Sequence, residues 1–146
     1  KKEDHKQVKW ALAVTNLTEL ADNFMHELSG GEQQRVWIAM SLAQNSSYLF
    51  LDEPTTYLDI RFQFEIMQLI RNLNHQQGKT IIMVLHEIQH ALNYADYILL
   101  LNHGKIYSYA TVEEVIKSGA IEEVFKIEIK KFTEDNKNHF VICNKA

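Results

Sequence analysis

The chain has 146 residues, of which 46% are hydrophobic and 23% are charged. These proportions are typical of a folded globular domain and exclude a largely disordered chain. The formal net charge of -4 and the lack of any run of Lys and Arg argue against a nucleic-acid-binding surface, because phosphate contacts need clustered cations.

The cysteine content and the apolar runs indicate where the protein works. Cys143 has no second cysteine with which to pair, which fits a reducing compartment. The longest apolar runs, 81–85 and 97–101, are far too short to cross a bilayer, and no signal peptide is recognisable. At a membrane, we therefore expect other chains to anchor it. The first residue is Lys1 rather than Met, which fits a piece of a longer protein.

Helical spacing marks the opening segment. Val8, Ala11 and Leu12 recur on one face of a predicted helix. Thr18 is predicted to cap a second, short helix over 21–24. We therefore expect the chain to begin with helices.

An LSGGE motif opens the next predicted helix, over 32–44. Ser29 is its N-cap and Glu32 follows three residues later, which is the pattern of a capping box. Gly30 and Gly31 lack Cβ atoms, so the backbone there can approach a phosphate, which the positive end of the helix dipole also favours. By itself the motif is equally compatible with an ordinary capped helix.

Two acids follow a short apolar run at 48–51. Such a run, bounded by acid and proline, predicts a buried parallel strand whose C-terminal tip faces a site. Asp52 is placed to hold Mg²⁺ through water, because Mg²⁺ gives up its hydration shell reluctantly. Glu53 is placed to polarise an attacking water. The alternative is that both acids are solvated turn residues.

Strand and helix patterns alternate beyond this point. An amphipathic helix is predicted from Phe62 to near Gly78. The later predicted elements are a strand at 81–85, a helix at 88–95, a strand at 97–101, a turn at 102–104 leading to a hairpin strand at 105–109, a helix opened by a capping box at 111–114, and a terminal hairpin of 126–132 with 139–143. The alternation predicts an α/β fold, with a parallel sheet covered by helices and a C-terminal β-hairpin extension.

Three motifs in order resemble those of ATP-binding-cassette (ABC) ATPases. LSGGEQQR at 28–35 is similar to their signature, YLFLDEP at 48–54 to their Walker B strand, and 55–59 to their D-loop. His86 follows at the tip of the next strand, and the similarity extends over 5–105. The resemblance implies a P-loop NTPase fold, a three-layer α/β structure, with ATP and Mg²⁺ as cofactors.

The resemblance also implies roles for the signature residues. In the family, two copies bind two ATP molecules head to tail, and each signature completes the site of the opposite copy. Carried over, Ser29, Gly30 and Gly31 touch the γ-phosphate of ATP held by a partner chain, and Glu32 belongs to the same ATP-binding signature. Glu32 stands where many members have Gln, a variant that resembles importers of iron chelates and vitamins.

Four further residues take roles from the same resemblance. Asp52 serves the magnesium ion, and Glu53 serves the catalytic water. His86 contacts the γ-phosphate within the chain's own site. Asp59, at the end of the D-loop, links the two sites across the dimer.

The later sequence resembles one branch of the family. HEIQHAL at 86–92, YAD at 94–96 and GKI at 104–106 look like importer ATPases for iron-siderophore, haem or vitamin B12 substrates, as do TVEEV at 111–115 and EEVF at 122–125. The resemblance implies a bacterial protein on the cytoplasmic face of the membrane. Its partners are a second ATPase subunit and transmembrane permease subunits, with no nucleic acid.

One family element is missing from the sequence. No G-x-x-x-x-G-K-[ST] loop occurs in the 146 residues. Without its lysine and its nest of N–H groups, the β- and γ-phosphates lose their main anchor, so we expect that this chain alone neither binds ATP well nor hydrolyses it. The resemblance then divides the chain into a remnant of a helical subdomain at 1–27, the C-terminal half of the ATPase core at 28–109, and a helix-and-hairpin extension at 110–146.

Two other functions are compatible with parts of the sequence. His86-Glu87-Ile88-Gln89-His90 fits H-E-x-x-H, a zinc metalloprotease pattern, although that motif needs to lie within a helix and His86 follows a strand. Under the ATPase interpretation His90 is an exposed helix residue. The second alternative is an ABC ATPase outside transport, acting in DNA repair or at the ribosome. The segment before the signature shows no coiled-coil heptads, which disfavours the repair class.

Overall fold

The structure is a computed structural model that describes residues 2–134 and 137–144. Internal contacts group the chain into two compact units, Lys1–His86 and Glu87–Ala146. This grouping does not test the predicted division at residues 27 and 109, which stays a prediction. Within the described residues, no helix is both long enough and apolar enough to cross a membrane.

The first unit contains three helices and two strands. In chain order its regular elements are α1 (Lys2–Val14), a 3₁₀ turn (Thr18–Leu20), a second 3₁₀ turn (Met25–Glu27), α2 (Gly30–Ala43), β1 (Tyr48–Asp52), α3 (Ile60–Gln77) and β2 (Thr80–Val84). Helices α1 and α2 contact each other, as do α2 and α3. Buried apolar residues of α2 and α3 supply most of this unit's core.

The prediction of a short helix over 21–24 is wrong. The chain instead forms the 3₁₀ turn Thr18–Leu20, whose N-cap is Leu17 and which has no side-chain cap. The Thr15 hydroxyl donates to the Ala11 carbonyl at 2.8 Å, at the end of α1. A four-residue helix would have to meet the cost of nucleation for a single hydrogen-bonded turn, so a turn is the more stable local structure.

Helix α3 confirms the amphipathic helix predicted from Phe62 to near Gly78. Asp59 caps its N-terminus, accepting at Oδ1 from the N–H groups of Arg61 and Phe62. Its buried residues recur at helical spacing and are Ile66, Met67, Ile70 and Leu73. The helix ends at Gly78, whose φ of 62° lies in the left-handed region that glycine adopts without strain.

Strands β1 and β2 pair in parallel, as predicted, with Leu49 opposite Ile81. The expected burial of β1 on both faces is wrong. Leu49 is buried, but Phe50, which faces the opposite side, is 71% exposed. An apolar run predicts burial only if another element covers the second face, and the run cannot specify that element.

The second unit is built from helices and two antiparallel hairpins. Its elements are α4 (Ile88–Tyr94), β3 (Tyr97–Asn102), β4 (Lys105–Thr111), α5 (Val112–Ser118), α6 (Ala120–Phe125), β5 (Ile127–Glu134) and β6 (Lys137–Asn144). Its core is a cluster of buried side chains, Leu92, Leu100, Val115, Ala120 and Ile121. Helix α6 was not predicted from the sequence, because six residues are too few to display a helical period.

Both hairpins predicted from the sequence are confirmed. Strands β3 and β4 are joined through His103 and Gly104, with φ of 48° and 72°, as a type I′ turn requires. Strands β5 and β6 pair antiparallel from Ile127 opposite Asn144 onward. The sequence predicted β3 as a third parallel strand, but among the described residues its hydrogen bonds run to β4. The tight turn favours the pairing of β3 with β4, because it brings the two strands side by side.

Candidate functional site

The LSGGE motif forms the capped N-terminus of α2, as predicted. The backbone N–H and the hydroxyl of Ser29 both donate to Glu32 Oε2, at 2.8 and 2.7 Å. The Glu32 N–H donates back to Ser29 Oγ at 3.4 Å, which completes the capping box. The two hydrogen bonds that the Glu32 carboxylate accepts from Ser29 lower the pKa of Glu32, and the bond from the hydroxyl is the larger cause. The N–H groups of Gly30 and Gly31 lie in the first turn, where a helix offers them no acceptor.

Gly31 has a second requirement that the sequence did not reveal. It is buried, and a Cβ at this position would lie 2.6 Å from Cδ1 and 2.9 Å from Cγ of Phe62 on α3. A Cβ on Gly30 would meet only Leu58 Cδ2, at an ordinary 3.7 Å. Gly31 therefore allows α2 and α3 to approach closely. This packing role is separate from the phosphate contact predicted from the sequence.

This contrast gives a test of packing at the motif. We expect Gly31→Ala to destabilise the chain by about 1–3 kcal/mol, because the Phe62 ring must move off its position. The matched control is Gly30→Ala, whose Cβ has room and which should change stability by about 0.5 kcal/mol or less. Urea unfolding followed by circular dichroism measures both. Equal losses in the two variants would contradict the packing role of Gly31.

An ion-pair network also joins α2 to α3. Arg35, in the second turn of α2, pairs with Glu65 of α3. Glu65 also accepts from Nε of Arg61 at 3.0 Å, one turn earlier on its own helix. The N-termini of α2 and α3 carry Ser29 and Asp59, so the signature and the end of the D-loop are fixed to two helices held together. Glu65 could not be identified from the sequence, because its partner lies 30 residues away.

Glu53 and His86 come together at the C-terminal ends of β1 and β2. The Glu53 N–H donates to the carbonyl of Val84 at 3.1 Å, which continues the pairing of the two strands. His86 Nε2 lies 2.5 Å from Glu53 Oε1, and the Thr56 hydroxyl donates to Glu53 Oε2 at 3.0 Å. The sequence predicted both members of the pair but missed Thr56.

The backbone of Glu53 adopts an uncommon conformation. Its φ is 49°, in the left-handed region, which costs a non-glycine residue about 1–3 kcal/mol. The two side-chain hydrogen bonds hold Glu53 in this conformation. They also lower its pKa, with the bond to His86 the larger cause and that from Thr56 the second, so Glu53 is a carboxylate near neutral pH.

The lowered pKa of Glu53 can be tested directly. We expect His86→Ala to raise this pKa more than Thr56→Val does, in the order of the two causes. Because the pKa is lowered in the folded chain, the contribution of Glu53 to stability is present above the ordinary glutamate pKa. It is lost as the pH falls through the lowered value. Carboxyl ¹³C NMR titration of the chain gives the pKa, with His5→Ala on α1 as the control. An unchanged Glu53 pKa in His86→Ala would show that the pair does not form in solution.

Asp52 is the exposed last residue of β1. It offers a hard carboxylate oxygen beside Glu53, which fits the way Mg²⁺ binds, through one or two carboxylates with waters and phosphates supplying the other ligands. The described residues contain no group of three or more His, Cys, Asp or Glu side chains arranged for a metal ion. Asp52 therefore fits an ion held jointly with a phosphate, rather than one held by protein ligands alone.

The H-E-x-x-H pattern does not lie within one helix. His86 precedes α4, which begins at Ile88, so the geometry that this zinc motif needs is not formed. The expectation that His90 is exposed is wrong, since it is only 6% exposed. Its ring meets that of Tyr94 edge-on, with centroids 6.1 Å apart, and its Nδ1 lies 4.0 Å from Glu87. Glu87 lies one helical turn before His90 and Tyr94 one turn after it, so both side chains stand beside the imidazole.

Comparison with known proteins places these features in a family. A family model described as "ABC transporter" matches residues 1–56. The iron(3+)-hydroxamate import ATP-binding protein FhuC of Bacillus subtilis (strain 168) is 44% identical over 136 residues, which are 93% of this chain and 51% of that protein. The petrobactin import ATP-binding protein FpuC of Bacillus anthracis is 48% identical over 139 residues, which are 95% of this chain and 51% of that protein.

A solved structure gives the same result for the fold. An inward-facing metal-chelate type ABC transporter aligns with a TM-score of 0.87 at 28% identity, over 99% of this chain and 59% of that one. The α/β, P-loop NTPase fold class predicted from the sequence is confirmed by this likeness. The chain spans about half the length of the curated relatives that it matches.

Proposed function

The chain belongs to the ATP-binding-cassette family, and on this premise we propose that it is the signature-bearing half of the ATP-hydrolysing subunit of a bacterial importer for iron chelates. The observation that carries the proposal is the Glu53–His86 pair, at the C-terminal edge of parallel strands and downstream of a capped LSGGE helix. The names of the two similar proteins, both import ATP-binding proteins, support the importer class. The iron(3+)-hydroxamate relative supports the substrate class.

In the proposed reaction, water attacks the γ-phosphate of ATP in line with the leaving diphosphate. The Glu53 carboxylate accepts a hydrogen bond from this water and orients it. His86 Nε2, which bonds to Glu53 in the structure, would exchange this partner for a γ-phosphate oxygen and donate to it. Asp52 would hold Mg²⁺, which supplies positive charge to the phosphates when bound. The pairing of His86 with Glu53 therefore describes the chain before nucleotide binds.

The signature residues act on a second nucleotide in this proposal. Ser29, Gly30 and Gly31 present a hydroxyl and first-turn N–H groups to the γ-phosphate of ATP held by a partner subunit. Glu32 holds the Ser29 hydroxyl, so that hydroxyl must exchange acceptors when the phosphate arrives. Asp59 joins the two sites across the dimer from its position as N-cap of α3.

We also propose where the subunit works and which proteins it works with. The subunit works at the cytoplasmic face of the membrane, as a dimer docked on transmembrane permease subunits. Closure of the ATP-bound dimer drives the permease, and the permease with its binding protein selects the iron chelate. In this proposal the ATPase subunit does not touch the transported substrate, so its residues do not select among iron chelates.

Two measurements test the proposed function. The purified chain should bind MgATP weakly by equilibrium dialysis and release no phosphate above background, since it lacks the lysine loop. The chain joined to a phosphate-binding half should hydrolyse ATP and restore iron-chelate uptake in bacteria lacking an importer ATPase. Turnover by the chain alone would contradict the need for the loop. A joined ATPase that hydrolyses ATP without restoring uptake would contradict the importer role.

A further inference from the structure

The structure gives the Glu53 carboxylate a hydrogen-bond partner on each oxygen. Oε1 lies 2.5 Å from His86 Nε2, and Oε2 accepts from the Thr56 hydroxyl at 3.0 Å. His86 is 33 residues from Glu53 in the sequence, whereas Thr56 is only 3 residues away. The two contacts therefore depend on different parts of the fold. The first depends on the pairing of β1 with β2, and the second on the turn that follows β1.

The proposed reaction leaves the Glu53 carboxylate with one of these partners. An imidazole nitrogen carries one proton at most, so His86 Nε2 gives up Glu53 when it donates to a γ-phosphate oxygen. Oε1 of Glu53 is then available to the attacking water. Among the side-chain hydrogen bonds that the described residues make to Glu53, the one from Thr56 remains.

Glu53 needs such a contact because its backbone is strained. A φ of 49° at a non-glycine residue persists only where the surrounding structure enforces it. The Thr56 N–H donates to the Glu53 carbonyl at 3.2 Å, so the backbone and the side chain of Thr56 both bind this one residue. Pro54 and Thr55, which lie between them, are buried and anchor the turn. These contacts hold Thr56 beside the carboxylate without any contribution from His86.

We propose that Thr56 is a positioning residue for ATP hydrolysis, and that its hydroxyl orients the Glu53 carboxylate toward the attacking water. With Oε2 held by this donor, Oε1 faces the place that His86 vacates and accepts from water there. This inference rests on the proposed function and deepens it. Thr56 contacts neither the water nor the nucleotide in this role, so it acts only through Glu53.

The chemistry of a hydroxyl suits this task. It donates one hydrogen bond and stays neutral, so it restricts the rotation of the carboxylate without removing the negative charge. Hydrogen bonds to ionised groups are among the stronger ones in proteins. A reacting group misplaced by about 1 Å loses on the order of 100-fold in rate. Loss of the Thr56 hydroxyl should thus slow the chemical step and leave nucleotide affinity unchanged.

The experiment uses the complete ATPase, which is this chain joined to a phosphate-binding half, with MgATP as substrate. Thr56→Val removes the hydroxyl and keeps the shape of the side chain. We expect kcat for phosphate release to fall by about 10-fold or more, while KM for MgATP changes by about twofold or less. Thr56→Ser retains the hydroxyl and should keep kcat within about threefold of the original value. The control, Thr18→Val, makes the same change at an exposed position and should alter neither quantity.

A double-variant cycle shows whether Thr56 acts through Glu53. Once Glu53→Gln has removed the base, the Thr56 hydroxyl has no carboxylate left to orient. Adding Thr56→Val to Glu53→Gln should therefore lower the residual turnover by about twofold or less. A threonine needed only for folding would lower turnover by the same factor in both backgrounds. Circular dichroism melting checks that each variant is folded.

The outcomes separate this inference from the proposed function. If Glu53→Gln loses turnover and Thr56→Val keeps it, the inference is overturned and the function stands. Equal losses from Thr56→Val in the two backgrounds, or a loss in Thr56→Ser as large as in Thr56→Val, overturn the inference as well. A complete ATPase without turnover contradicts the proposed function and, with it, the inference that rests on that function.

Discussion

Replacing Glu53 by Gln in the complete ATPase is expected to stop ATP hydrolysis while leaving ATP binding nearly unchanged. The side chain keeps its shape and can still accept from Thr56, but it loses the negative charge that orients and polarises water. General-base catalysis contributes about 10²–10⁴-fold, so we expect turnover to fall by at least about 100-fold. Binding should persist, because Glu53 is assigned to the water and not to the nucleotide.

Phosphate release at saturating MgATP measures the turnover, and equilibrium dialysis measures the binding. The control is Glu19→Gln, which neutralises an exposed glutamate of the 3₁₀ turn and should leave both quantities unchanged. Normal turnover in Glu53→Gln would remove Glu53 from the base role. A large loss of binding would instead assign it to holding the nucleotide.

The second large effect is expected from the core. Ile66 lies on α3, is 0% exposed, and stands one helical turn beyond Phe62, the residue packed on Gly31. We expect Ile66→Ala to destabilise the chain by about 2–5 kcal/mol, since it removes buried methyl groups and leaves a cavity. A loss of this size is a large fraction of the stability of a small domain. It should also loosen the contact between α2 and α3, and with it the signature.

Urea unfolding of the chain measures this effect against a control on the same helix. Ile60→Ala makes the same change at a position 71% exposed, and we expect a loss of about 0.5 kcal/mol or less. Comparable losses at the two positions would show that the α3 core is not packed as described. Amide hydrogen exchange of the first turn of α2 tests the loosening of the signature directly.

Local signals in the sequence determined much of the site. Ser29 with Glu32, and Thr111 with Glu114, are capping boxes whose members lie three residues apart, so each could be recognised without knowing the fold. Glu53 was identified because it follows a strand-like apolar run. The carboxyl ends of neighbouring parallel strands meet at one edge of a sheet, and this brings His86 next to Glu53, but the hydrogen bond between them was not predicted.

Other features depended on residues far apart in the sequence. Gly31 is needed because a side chain there would collide with Phe62, and Arg35 pairs with Glu65. No periodic pattern in the sequence links the residues of either pair. The exposure of Phe50 contradicted its apolar run, because the run cannot specify what covers the second face of a sheet.

The sequence by itself therefore determined the two capping boxes, most of the strands and helices, the hairpins, and the family to which the signature and Walker B motifs point. Only the tertiary structure decided how closely α2 and α3 approach, which hydrogen bonds hold Glu53, and which apolar face remains uncovered. The physical reason is the separation in sequence between the residues that interact. Capping, turns and periodicity depend on neighbours within about four residues, whereas packing and burial depend on side chains brought together by the whole fold.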